Sequence, residues 1–185
     1  MLSLPTGRAL LDPEKILEEA GIRQGMHVAD LGVGAVGHFL FPASRMVGEK
    51  GMVYAVDILK SVLEANKSRL KITGSANVTL VWGDLETLGG TRLPDHSIDL
   101  AVMVNILHAV GKSQALSEVK RILGTDGTLL VVDWKPQGGP MGPAPEHRLS
   151  KDETRKLAET AGFTFKKEFE AGPHHYGLVF TKPRR

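Results

Sequence analysis

A glycine-rich turn directly after a short apolar segment dominates the first quarter of the chain. Val28 to Leu31 (VADL) leads into the turn at residues 32–37 (GVGAVG). Glycines are needed where a strand turns sharply into a helix and a ligand lies against bare backbone. The arrangement predicts a buried strand, a tight turn and a helix, with a ligand at the carboxyl end of the strand. The alternative is a glycine turn that serves only close packing.

Apolar segments and amphipathic helical patterns alternate along the whole chain. The alternation predicts a doubly wound α/β sheet closed by a hairpin at Gly172-Pro173. Gly124 is expected to stop the fourth helix, and Ser150 with Glu153 is expected to form a capping box before the fifth. The predicted helices are Pro13 to Ala20, about His38 to Val47, about Lys60 to Ile72, Lys112 to Leu123, and Ser150 to Gly162. The predicted strands are His27 to Leu31, Met52 to Asp57, Val78 to Trp82, Ile98 to Val104, Thr128 to Asp133, Phe163 to Glu170, and Tyr176 to Thr181.

Length and composition are those of one globular domain, with 185 residues of which 42% are hydrophobic and 24% charged. We expect a single domain over residues 1–185, with an N-terminal helix within residues 1–25. Residues 135–149 are rich in proline and glycine and form a long loop. This loop is interpreted either as a lid over a ligand or as a stiff surface loop.

Composition disfavours several classes of protein. The chain has no cysteine, which excludes disulfides, thiolate metal sites and cysteine nucleophiles. We expect a cytoplasmic protein, because no apolar run approaches the roughly 18 residues of a membrane span and Met1 to Thr6 lacks signal-peptide features. The net charge of +2 permits nucleic-acid binding without indicating it. Hydrolases and nucleoside triphosphatases are disfavoured, since neither a serine–histidine–acid spacing nor a phosphate-binding loop is present.

Acidic residues at the ends of the first three strands indicate what the ligand is. Asp57 lies 20 residues after Gly37, where a carboxylate can accept hydrogen bonds from the ribose hydroxyls of an adenosine cofactor. That pattern alone also fits an NAD-binding domain. Asp30 favours S-adenosylmethionine, because a carboxylate beside the turn repels a pyrophosphate and attracts the ammonium group of a methionine. Asp84 can bind an adenine amino group, or it can simply cap a helix. A dehydrogenase also needs a separate substrate domain, which we do not expect here.

The ordered motifs of the chain resemble those of class I S-adenosylmethionine-dependent methyltransferases. The resemblance extends over about residues 10–182 and is closest to small bacterial members of the branch that contains the ubiquinone and menaquinone biosynthesis methyltransferases. It implies a Rossmann-like, mostly parallel seven-stranded sheet whose last strand is antiparallel. The motifs are VADLGVG at 28–34, YAVD at 54–57, WGD at 82–84, the segment from Ile98 to His108, and VKRILGTDGTLLVVD at 119–133.

The same resemblance implies S-adenosylmethionine as the cofactor and suggests which residues bind it. Asp57 is expected to bind the ribose and Asp84 the adenine, while Asp30 and the glycine turn lie along the methionine portion. Val36 departs from the family pattern, which has a glycine there, and Gly37 follows one residue later. The full predicted cofactor site is Asp30, Gly32, Gly34, Asp57, Ile58, Gly83, Asp84 and Asn105.

Topology brings four histidines to the carboxyl edge of the predicted sheet, where ligands of such sheets bind. His108 follows the fourth strand, His147 lies in the loop after the fifth, and His174 and His175 lie in the final hairpin. We expect them to surround one cavity beside the cofactor, although each one alone is also explained as an ordinary loop or turn residue. Their spacing does not support a metal site.

A general base is needed in methyl transfer only when the acceptor loses a proton, since alignment and exclusion of water supply most of the catalysis. His108 is the first candidate for this base and His175 the second, because an imidazole accepts a proton near neutral pH.

The sequence therefore predicts an enzyme that methylates a small molecule, with three alternatives left open. The segment from Asn105 to His108 lacks the paired prolines and aromatic residue of amino-methylating nucleic-acid enzymes, which disfavours an RNA or protein methyltransferase. A catalytically silent S-adenosylmethionine-binding module is supported only by Val36. A nicotinamide oxidoreductase is the remaining alternative.

Overall fold

Strands and helices follow one another in the order that the sequence predicts. The computed structural model describes residues 10–137 and 141–184. The first nine residues of the predicted segment 1–25 and residues 138–140 of the loop 135–149 lie outside the described residues. The strands are β1 His27–Leu31, β2 Met52–Asp57, β3 Val78–Trp82, β4 Ile98–Val104, β5 Leu123–Trp134, β6 Thr164–Gly172 and β7 His175–Thr181. The helices are α1 Pro13–Glu19, α2 Leu40–Val47, α3 Lys60–Thr73, α4 Lys112–Ile122 and α5 Lys151–Thr160, with single 3₁₀ turns at Leu107–Ala109 and Pro145–His147.

Side-chain caps fix the beginnings of two helices. The carboxylate of Asp12 accepts a hydrogen bond from the backbone N–H of Lys15, and proline follows at the first position of α1. Both halves of the predicted capping box are present at α5, where Ser150 and Glu153 each accept a bond from the other's backbone N–H. The positions of these two helices were thus readable from local sequence.

The seven strands lie in the order β3-β2-β1-β4-β5-β7-β6. Strands β1 to β5 pair in parallel, and β7 lies antiparallel between β5 and β6. The predicted seven-stranded, mostly parallel sheet with an antiparallel last strand is confirmed. The strand order changes direction between β1 and β4, and the crevice above such a point is where open α/β sheets bind ligands.

Apolar side chains on the two faces of the sheet form two separate core layers. Helices α1, α2 and α3 cover one face, and α4 and α5 cover the other. The central strand β4 reads as a nearly continuous apolar run because both of its faces are buried. Among the described residues, no helix combines the length and the apolar character that a bilayer span requires.

The boundary between α4 and β5 differs from the prediction. Gly124 does not end the helix; α4 stops at Ile122, and Leu123 already has the extended backbone of β5. Leu123 pairs with Ile98, and the ladder resumes only at Thr128 opposite Leu100. The strand therefore starts five residues earlier than expected, because long-range pairing with β4 outweighs the local helix-stop signal.

Candidate functional site

A cleft of about 500 Å³ lies at the carboxyl ends of the parallel strands, where β1, β2, β3 and β4 deliver their loops. Six of the eight predicted cofactor residues line it, namely Gly32, Gly34, Asp57, Ile58, Gly83 and Asp84. The sequence did not single out the other lining residues, which are Val56, Leu59, Val62, Leu85, Glu86, Ile106, Ala109 and Val110. These are mostly apolar, so the cleft offers hydrophobic walls with acidic groups at defined points.

The glycine turn, of which Gly32 and Gly34 line the cleft, passes through left-handed backbone conformations. Gly32 has a φ of +76°, and a β-carbon on it would lie 2.9 Å from Cγ1 of Ile106. Gly37 has a φ of +62°, and its β-carbon would approach Oδ1 of Asn66 to 2.5 Å. Val36 is 62% exposed. The valine at position 36, where the family pattern has a glycine, is thus accommodated, because the position without room for a side chain is 37, which is a glycine.

Asp57 is oriented by the backbone on both sides of the cleft. Its carboxylate accepts hydrogen bonds from the N–H of Leu59 at 2.9 Å and from the N–H of Gly34 at 3.3 Å. Two neutral donors hold the carboxylate at the cleft wall while lone pairs remain for further donors. This arrangement suits a ligand that presents two hydroxyl groups, as a ribose does.

Asp30 is a buried carboxylate with an incomplete set of partners. It is 4% exposed, and its Oδ2 accepts no hydrogen bond from any described residue. Burial, and after it the negative charge of Asp57, raises the pKa of Asp30 to about 7. Asn105, at a φ of +55° after β4, has a buried Oδ1 that also lacks a described partner. Neither residue is among the described residues that line the cleft, but an acceptor of this kind can take a hydrogen bond from the ammonium group of S-adenosylmethionine.

Asp84 has a structural task as well as a place in the cleft. Its carboxylate accepts bonds from the N–H of Glu86 at 2.8 Å and from Oγ1 of Thr87 at 2.9 Å. These bonds close a turn. Asp84 therefore has a local structural role, as the alternative interpretation expected, but it does not cap a helix. Each carboxylate oxygen keeps a second lone pair with which to accept from an adenine amino group.

His108 is paired with Asp133 at the end of β5. The ring Nδ1 lies 2.8 Å from Oδ1 of Asp133, and the backbone N–H of His108 donates to Oδ2 at 3.2 Å. Asp133 is fully buried and also accepts from the N–H of Trp134. Because a carboxylate only accepts, we assign the Nδ1 proton to this bond, which leaves Nε2 as a lone-pair acceptor. The His108 side chain is 12% exposed and sits between the cleft residues Ile106 and Ala109 in sequence.

The prediction that four histidines surround one cavity is wrong. His175 lies opposite Trp134 in the β5–β7 ladder, one position along from Asp133, and successive side chains of a strand point to opposite faces. Its ring is 1% exposed with its centroid 4.0 Å from that of Trp134, and burial lowers its pKa to about 4. His147 is exposed at the end of a 3₁₀ turn, and His174 lies in the hairpin turn. Within the described part of the chain, none of the four lines the cleft.

The loop after β5 is tied down by a single buried arginine. Arg148 donates to the carbonyl oxygens of Lys135 at 3.1 Å, Met141 at 2.7 Å and Pro143 at 2.9 Å. A β-carbon on Gly142 would come within 2.5 Å of the Trp134 ring, so the loop packs directly on the indole. For the described part of the segment this packing favours the stiff surface loop over the lid, and motion of the loop stays a prediction.

Comparisons with known proteins show which family the chain is similar to. The family model of the methyltransferase domain matches residues 22–172. A solved S-adenosylmethionine-dependent methyltransferase from Aquifex aeolicus is 32% identical with a TM-score of 0.89, and the match covers 97% of this chain and 94% of that one. Two ubiquinone/menaquinone biosynthesis C-methyltransferases UbiE, from Shewanella pealeana and Azotobacter vinelandii, are 35% and 34% identical. They match 65% and 68% of this chain over 48% and 49% of their own lengths, so the chain spans about half the length of these relatives.

The family model covers most of the chain, and the structural match to the Aquifex aeolicus protein is nearly complete in both directions. The chain therefore belongs to the class I S-adenosylmethionine-dependent methyltransferases.

Proposed function

We propose that the protein methylates a small-molecule acceptor that gives up a proton, and that His108 receives this proton. The observation that carries the proposal is the hydrogen bond between Nδ1 of His108 and the buried carboxylate of Asp133. A carboxylate in this position fixes the imidazole tautomer and stabilises the ring after it has taken up a proton at Nε2.

The cofactor supplies an activated methyl group on a positively charged sulfur. We propose that Asp30 and Asn105 hold its ammonium group, since both have buried acceptor oxygens without described partners. Asp57 accepts from the ribose hydroxyls, and Asp84 accepts from the adenine amino group. Apolar residues of the cleft, such as Ile58 and Leu85, cover the adenine and exclude water.

His108 is the residue that this proposal assigns to proton transfer. Its Nε2 accepts the proton of an acceptor hydroxyl, enol, thiol or activated C–H group while the acceptor is held in line with the methyl group. His175 is given no part in the chemistry, because its ring is buried against Trp134. Its role as a second base stays an untested prediction from the sequence.

A small apolar acceptor is favoured by the lining of the cleft near His108. Ile106, Ala109 and Val110 face the cleft there, and none of them carries a charge. The UbiE relatives are named for C-methylation in quinone biosynthesis, and acceptors of that kind are the first to test. The single domain over 1–185 and the cytoplasmic location also stay predictions.

A screen for the demethylated cofactor tests this proposal. The protein is incubated with S-adenosylmethionine and small aromatic or enolic acceptors, and S-adenosylhomocysteine is measured. We expect product only with acceptors that carry an acidic proton, and not with tertiary amines or thioethers, which have a nucleophilic lone pair but no proton to lose. Turnover of these proton-free acceptors at the same rate would show that no base is needed. If RNA or a protein is methylated and no small molecule is, the proposed class of acceptor is wrong.

A further inference from the structure

One buried carboxylate outside the cleft holds the loop that forms the adenine side of the cleft. Glu118 lies in α4 and is fully buried. Its carboxylate accepts hydrogen bonds from the N–H of Gly89 at 2.7 Å, the N–H of Thr91 at 3.0 Å and Oγ1 of Thr91 at 2.5 Å. All three donors belong to residues 83–92, which we call the β3–β4 loop.

Arg121 compensates the charge of Glu118 within the same helix. Its guanidinium donates to the two carboxylate oxygens at 2.8 and 2.7 Å, and it also donates to the carbonyl of Leu93 at 2.9 Å and to Asp95. Burial opposes ionisation of Glu118, but the bonds from Arg121, Thr91 and Gly89 outweigh it and lower its pKa to about 2. Glu118 is therefore ionised at every pH at which the enzyme would be assayed.

The part of the β3–β4 loop held by Glu118 in turn shapes the part that lines the cleft. The N–H of Asp84 donates to the carbonyl of Gly90 at 3.0 Å, between the two residues that Glu118 binds. A β-carbon on Gly83 would lie 2.9 Å from that same carbonyl oxygen. Any displacement of Gly89 to Thr91 would therefore move Gly83 and Asp84.

A second contact joins the same loop to the beginning of α4. Oε1 of Glu86, which lines the cleft, accepts a hydrogen bond from the N–H of Gly111 at 2.6 Å. Gly111 directly follows Val110, which lines the cleft as well. The loop is thus attached to α4 at two points, the N-cap residue Gly111 and Glu118.

We propose that Glu118 is a positioning residue for the cofactor, which sets the place of Asp84 and thereby the recognition of adenine. The proposal rests on the role of Asp84 proposed above. A residue that only stabilised the fold would change the melting temperature and leave untouched the choice between adenine and another base.

The test compares two ligands on the full chain by calorimetry, S-adenosylhomocysteine and its inosine analogue, in which a carbonyl replaces the adenine amino group. We expect the wild-type protein to prefer the adenosine form, because a carboxylate accepts from an amino group and repels a carbonyl. Glu118→Gln should weaken binding of the adenosine form about tenfold and reduce the preference for it. Thr91→Val, which removes one of the bonds and no charge, should act in the same direction with a smaller effect and serves if Glu118→Gln does not fold.

Asn77→Ala is the matched control, because Asn77 also ties the chain next to β3 but at the amino-terminal end of that strand, through the carbonyls of Ser44 and Gly48. It should lower the melting temperature and leave both affinities unchanged. Folded Glu118 and Thr91 variants with wild-type affinities would overturn the positioning role and leave the cofactor assignment intact. A wild-type protein that binds S-adenosylhomocysteine without preferring it to the inosine form would overturn the role of Asp84, and with it this inference.

Discussion

Nδ1 of His108 lies 2.8 Å from Oδ1 of Asp133, a carboxylate with no exposed surface. The two residues are 25 positions apart and meet because β4 and β5 are neighbouring parallel strands that end at the same edge. A buried carboxylate that accepts from one ring nitrogen leaves the other nitrogen available to receive a proton. His108, held by Asp133, is therefore the base that we propose for this enzyme.

The first prediction concerns this base. His108→Ala should lower kcat by about 10²–10⁴-fold with an acceptor that loses a proton, because the proton then passes to water. Cofactor affinity, measured by calorimetry, should change little. His147→Ala is the matched control, since His147 is exposed in the loop after β5, and it should keep full turnover. If kcat of the His108 variant falls only a few-fold, His108 is not the base and catalysis depends on alignment alone.

The second prediction concerns the ribose. Asp57→Asn should weaken binding of S-adenosylhomocysteine by about 1–3 kcal/mol, because an amide can no longer accept from both hydroxyl groups. The variant keeps one oxygen for the N–H of Leu59, so the turn should survive. Asp126→Asn, which removes an exposed carboxylate paired with Arg184, is the control and should bind as the wild type does. If the wild type and both variants bind with equal affinity, Asp57 does not bind the ribose.

The third prediction follows from the raised pKa of Asp30. The folded protein without cofactor keeps a proton on Asp30 up to about pH 7, whereas the ordinary value of 3.8 applies when the chain is unfolded. The folded state therefore binds more protons between these values, and stability falls as pH rises through this window. Asp30→Asn removes this pH dependence. The variant should therefore melt at a higher temperature than the wild type at pH 8, and the difference should disappear near pH 4. A difference that does not change with pH would mean that Asp30 is not buried as described.

The fourth prediction concerns His175, whose pKa is lowered to about 4 from 6.5. The folded state binds fewer protons than the unfolded chain between these values, so stability falls as pH drops through them. His175→Phe keeps a ring against Trp134 and cannot take up a proton. Its melting temperature relative to the wild type should rise as pH falls from 8 to 4.5, while kcat at pH 8 stays within a few-fold. A loss of kcat as large as that of His108→Ala would restore His175 as a candidate base.

Much of the fold was readable from the sequence, because each element carries local signals. Strands β1 to β4 begin and end where the apolar runs do, and α5 begins at a capping box. The early start of β5 was not readable, because Leu123 becomes extended through pairing with Ile98, a contact that no local pattern reports. The largest error in an element boundary is thus at the one set by a distant partner.

The residues of the site also divide into those that local sequence predicts and those whose position depends on distant contacts. Gly34 and Asp57 follow from a motif with defined spacing, and both line the cleft. The edge of the sheet on which the histidines lie was predicted correctly, but the face toward which each points depends on strand register, so His175 was misplaced. Glu118 gave no signal at all, because its partners Gly89 and Thr91 lie 29 and 27 residues away.

The most direct test of the account is a calorimetric titration of the purified chain at pH 8 with S-adenosylhomocysteine and, separately, with NAD. In our proposal Asp30 and Asn105 accept from the ammonium group of the cofactor, and a carboxylate that is ionised at pH 8 repels a pyrophosphate. We expect S-adenosylhomocysteine to bind at one site per chain, with Asp30→Asn binding it more weakly, and NAD to give no comparable heat. Binding of NAD in preference to S-adenosylhomocysteine would contradict the account.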